Sequence, residues 1–94
     1  MTVVAEEPSA ATGVGGYAMS ALAADVLAGV AAGHSTGRLA GRLVLSVRGV
    51  EYHCSRLMRM LNAANRTELV ARAYAAGIIA AGEWPPRVRD EFVR

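Results

Sequence analysis

Arg48, Tyr52, Ser55 and Arg59 stand at i, i+4, i+7 and i+11, with Glu51 and Arg56 flanking that line. On a helix this spacing puts them on one face. A guanidinium fork suits phosphate oxygens and guanine, a carboxylate accepts from cytosine N4, and hydroxyls and an aromatic ring add further contacts. The set therefore fits the edges and backbone of duplex DNA. The plain counterpart is an ordinary solvated helix face. Behind it, Val47, Val50, Cys54, Leu57 and Leu61 are spaced 3, 4, 3 and 4, which is the period of a core-facing stripe.

Other chemistries fare worse. His34, His53 and Cys54 are the soft metal ligands, but adjacent His53 and Cys54 point different ways on a helix, so no metal site is expected. Gly13-Val14-Gly15-Gly16-Tyr17-Ala18 fits a loose dinucleotide pattern, yet no strand precedes it and a βαβ unit has no room. No nucleophile–base pair is evident, so neither an enzyme nor a cofactor is expected. A single cysteine excludes an intrachain disulfide and fits a reducing cytosol. Glu6 and Glu7 sit where a secretory signal needs basic and apolar residues. No apolar run approaches the roughly 18–20 residues of a membrane span. A cytoplasmic protein without membrane attachment is the expectation.

The net charge of +2 hides a segregation. Residues 1–33 carry Glu6, Glu7 and Asp25 and no basic residue. Residues 34–76 carry Arg38, Arg42, Arg48, Arg56, Arg59, Arg66 and Arg72 against only Glu51 and Glu68, and residues 77–94 balance. A basic centre between non-basic flanks is the footprint of a polyanion binder, or of a merely solvated arginine face.

Residues 1–18 are rich in small residues without periodicity and read as a flexible arm, with 1–16 expected to be disordered. Met19, Leu22, Ala23, Val26, Leu27 and Val30 recur at helical spacing after Ser20, an N-cap residue. Ser35 or Thr36 caps a second helix with Leu39, Ala40 and Leu43 inside; Ser46 caps the third. Asn65 with Glu68 three residues on matches a capping box for the fourth, where Leu69, Val70, Ala73 and Tyr74 face inward and Gly77 stops it. The prediction is a small all-α domain over 19–79, with helices near 20–32, 36–43, 47–61 and 66–76, and a tail over 80–94. Trp84 in that tail is expected to pack back on the domain, with partner docking as the alternative. Ninety-four residues make one small domain, marginal alone, so a dimer or bound nucleic acid is expected to add stability.

Val44-Leu45-Ser46 joins the second and third helices in three residues, which sets a steep angle and lets the third enter a major groove. From Met19-Ser20-Ala21 through Val26-Leu27, Val30-Ala31-Ala32-Gly33, Leu39-Ala40, Leu43-x-Leu45-Ser46 and Val50-x-x-His53 to Asn65-Arg66-Thr67-Glu68, the chain resembles the LuxR/NarL/GerE class of helix-turn-helix DNA-binding domains without a gap. It departs at Gly49, where the family has Thr, at Glu51 and Met60, where it has Lys, and at Gly37-Arg38, which replaces Lys-Glu.

Together the resemblance and the polar face imply base reading by Glu51, Tyr52 and Ser55. They imply phosphate contacts from Thr36, Ser46, Arg48, Arg56, Arg59, Arg66 and Thr67. The resemblance further implies a weak homodimer paired through the fourth helix at Ala71, Tyr74 and Ala75. The reading is a stand-alone sequence-specific transcriptional regulator on double-stranded DNA. The alternative is a protein-interaction module with a degenerate DNA face, whose protein partner is another transcription regulator or an RNA polymerase component. Gly49 and Glu51 favour the second, the central arginines the first.

Overall fold

Each α-helix among the described residues begins at a polar side chain that folds back on its own first turn. A computed structural model describes residues 16–94; of the span 1–16 expected to be disordered, residues 1–15 lie outside that range. The helices are α1 (Ala21–Ala31), α2 (Thr36–Leu43), α3 (Val47–Leu61) and α4 (Arg66–Ala75), in close agreement with the predicted spans. The hydroxyls of Ser20, Ser35 and Ser46 accept from the amides of Ala23, Arg38 and Gly49 at 3.1, 3.1 and 2.9 Å. Asn65 Oδ1 accepts from Glu68 N at 2.8 Å. These contacts satisfy amide donors that have no partner inside the helix. Glu68 reaches one residue further back than a standard capping box, to the amide of Ala64 at 2.8 Å.

The core runs from Met19, Val26 and Leu27 through Leu39, Val50, Cys54, Leu57 and Leu61 to Leu69 and Ala73. α1 and α2 approach at Gly29, where an added Cβ would overlap the buried side chain of Leu39. Val47 departs from the expected stripe: at the first position of α3 it is 48% exposed. α2 ends on Val44 in the left-handed region, with φ 55° and 90% exposure.

Beyond α4 the chain does not trail away. Gly77 (φ +75°) turns it, and Ile78, Ile79, Val88 and Phe92 are buried in the same core. Ile79 and Val88 form an isolated antiparallel bridge, and Met19 and Val93 a parallel one. Met19 N–H donates to Phe92 O at 2.9 Å, and Arg94 N–H donates to Met19 O at 3.0 Å. Residues 80–94, expected as a tail, thus close against the start of α1, and Tyr17 also packs against the core. Trp84 is the exception and a correction: it stands 76% exposed, while Phe92 fills the interior in its place. No helix among the described residues is long and apolar enough to cross a membrane.

Candidate nucleic-acid interface

The short turn from Val44 to Ser46 sets α3 against α2, and α3 leaves one long face uncovered. Arg48, Glu51, Tyr52, Ser55, Arg56 and Arg59 are all exposed on it, because the opposite stripe of Val50, Cys54, Leu57 and Leu61 is fully committed to the core. Among the described residues three ion pairs form, and they involve Arg72 with Glu68, Arg87 with Asp90 and Arg89 with Glu91. The arginines of α3 take part in none of them, and the one carboxylate on that face is Glu51.

Tyr52 and Arg56 act as one unit. Arg56 Nη1 donates to the Tyr52 hydroxyl at 2.9 Å, with its guanidinium carbon 5.6 Å from the ring centre. The ring of His53 meets Tyr52 edge-on, 5.5 Å between centres. Ser55, Arg56, Arg59, Tyr52 and Met60 surround an open depression of about 350 Å³ on this face. Gly49 lies beneath the cap: an added Cβ would come 3.3 Å from Ser46 Oγ. Ser46 Oγ accepts the helix amide, and its own proton remains available to an acceptor.

Arg66 and Thr36, named separately from the sequence, meet in the structure: Arg66 Nη2 donates to Thr36 Oγ1 and ties α4 to α2. The same guanidinium lies beside the Cys54 thiol. Burial pushes that thiol up, Arg66 opposes the shift, and Glu51 adds a small upward push, so Cys54 is held as a neutral core thiol. Thr67 is exposed next to Arg66, on the rim of an open groove of about 550 Å³ between the end of α1 and the start of α4. On α4, Ala71 and Ala75 are exposed, whereas Tyr74 is half-buried against the core.

Two arginines carry contacts with no sequence signal. Arg42 Nη1 lies 3.0 Å from His34 Nδ1, across the α1–α2 junction. Desolvation, then the charges of Arg38 and Arg42, hold His34 below its ordinary value. Arg94, from a segment of balanced charge, lies against α3 in a cleft with Tyr52, His53 and Arg56. Contacts with Ala18 O, 76 positions away, and with Met19 O bring it there. Among the described residues no cluster of His, Cys, Asp and Glu could hold a metal ion.

The GerE family model, described as bacterial regulatory proteins of the luxR family, matches residues 19–73. Comparison with curated proteins and with solved structures gives no significant match. The matched span contains α1, α2, α3 and most of α4, including the turn between α2 and α3 and the whole arginine-bearing face. It covers more than half of the chain, so the chain belongs to the luxR family of bacterial regulatory proteins, a family of helix-turn-helix DNA-binding transcription regulators.

Proposed function

We propose that the chain is a sequence-specific regulator that lays α3 in the major groove of duplex DNA. Glu51, Tyr52 and Ser55 meet base edges, while Thr36, Ser46, Arg48, Arg56, Arg59, Arg66 and Thr67 meet phosphates. A second copy joins through α4 at Ala71, Tyr74 and Ala75, so that two recognition helices reach half-sites about one DNA turn apart. The observation that carries this reading is the exposed α3 face, on which Arg48, Arg56 and Arg59 carry charge outside the three ion pairs. The second reading, a module that binds another regulator or an RNA polymerase component, draws on Glu51 within that face and on exposed Trp84.

Selection from a randomised duplex pool, followed by fluorescence anisotropy against salt, separates the two. The expected result is enrichment of a defined sequence and an affinity that falls steeply with salt. Arg59→Ala should weaken all sequences and flatten the slope of log K against log salt by about 0.9. Tyr52→Ala should change which sequence is selected. Absence of duplex binding at low salt would hand the case to the protein-interaction reading.

A further inference from the structure

The α3 face does not stop at the helix. The depression around Ser55 and Arg59 shares Tyr52, Arg56 and Met60 with a second, of about 130 Å³, between α3 and the start of α1. Ala18, Ser20, His53 and Arg94 line its far side, and no carboxylate side chain lines it at all. Arg94 is fixed there twice. Its backbone amide donates to Met19 O at 3.0 Å, and its Nη1 donates to Ala18 O at 2.7 Å. A guanidinium has five N–H donors, so most of its capacity remains open to an anion. The contrast within the same segment is informative: Arg87 and Arg89 are paired with Asp90 and Glu91, whereas Arg94 meets a neutral carbonyl. The family match ends at residue 73, well before this arginine.

We propose that Arg94, with Arg56 and His53, forms a phosphate-binding cleft that takes one backbone phosphate of the duplex bound by α3. This rests on the DNA-binding reading above and extends it: the C-terminal segment lengthens the protein's track along one DNA strand, beyond the reach of the helix-turn-helix unit. Arg56 serves both depressions and links groove contact to backbone contact. Arg94 carries no sequence information, since a phosphate is the same at every step.

The test uses the full chain and the duplex selected as above. Arg94→Gln keeps a polar side chain and removes the charge. It should bind roughly tenfold more weakly at low salt, with a salt slope shallower by about 0.9, and select the same sequence. Arg94→Lys should restore most of the slope. Arg87→Gln makes the same change in net charge on the same segment and should leave the slope nearly unchanged. Duplexes carrying one neutral methylphosphonate at each backbone position in turn supply an independent readout. One position should weaken the wild-type protein but have no further effect on Arg94→Gln. Equal slopes for Arg94→Gln and wild type, equal losses for Arg94→Gln and Arg87→Gln, or no such backbone position would each overturn the cleft while leaving α3 binding intact. If the wild-type chain binds no duplex, the DNA reading itself fails and the cleft fails with it. Thermal melts of each variant separate loss of contact from loss of fold, and a melt-destabilised Arg94→Gln leaves the methylphosphonate scan, run on wild type and Arg94→Lys, to decide.

Discussion

Val44 sits in the turn that orients α3, yet it is a β-branched residue at φ 55° with 90% of its surface exposed. Its side chain gains little from packing, while the left-handed backbone costs about 1–2 kcal/mol for a residue with a Cβ. Asn62, which ends α3 at φ 55°, shows the residue type that tolerates this conformation. Val44→Asn should therefore raise stability by about 1 kcal/mol, read as a melting temperature several degrees higher, with DNA affinity unchanged. Two titrating groups act in separate pH windows. The folded state holds His34 below its ordinary 6.5, mainly by desolvation, so the unfolded chain binds that proton more readily. Stability from this source is complete above pH 6.5 and is lost as pH falls through the lower folded value. Glu68 behaves alike at more acid pH: the Ala64 amide and Arg72 hold it below its ordinary 4.5, and its contribution is lost beneath that. In melts from neutral pH downward, His34→Gln should remove the first decline and leave the second. An unchanged first decline in that variant would assign it elsewhere.

At the scale of elements, α4 has two tasks that mutation can separate. Its first residue, Arg66, bonds Thr36 of α2, so Arg66→Ala should lower DNA affinity and also cost about 1 kcal/mol of stability. Arg59, exposed on α3 outside the ion pairs, should affect affinity alone. Equal melting temperatures for the two variants would deny Arg66 its bracing role. The outer face of α4 is small and apolar at Ala71 and Ala75, where helices can approach closely. Ala75→Glu should reduce dimerisation and DNA affinity together without touching the core, and an unchanged sedimentation coefficient would remove α4 as the interface. The elements themselves were legible because their signals are local: Ser20, Ser35, Ser46 and Asn65 each bond an amide three residues on. The same local reading misplaced Val47. Its position in the stripe is right by periodicity, but periodicity alone does not secure burial: Val47 is 48% exposed while Val50, three residues on, is fully buried. The meeting of Arg66 with Thr36 lay beyond any spacing argument, since 30 positions separate them.

The whole molecule is held by contacts that the sequence conceals most. Val88 and Phe92 belong to no extended helical or alternating pattern, yet they complete the core that Met19 and Leu27 begin. Pairing between distant segments leaves no local pattern, so the apolar residues past Ile79 read as a tail and Trp84 as the natural inward anchor. Phe92→Ala should cost about 3–5 kcal/mol, a large share of the stability available to a domain of this size, and should abolish the two-state urea transition of the whole domain at 37 °C rather than detach one segment. A wild-type-like transition would make the C-terminal segment an independent appendage. Met19 and Val93 run side by side in the same direction, joined by Met19 N–H to Phe92 O and Arg94 N–H to Met19 O. Under tension between a handle before Met19 and one after Arg94, the two bridged segments would slide lengthwise past each other, loading both hydrogen bonds at once. Their arrangement is that of a mechanical clasp, which resists force by simultaneous rupture where an antiparallel pair would unzip one bond at a time.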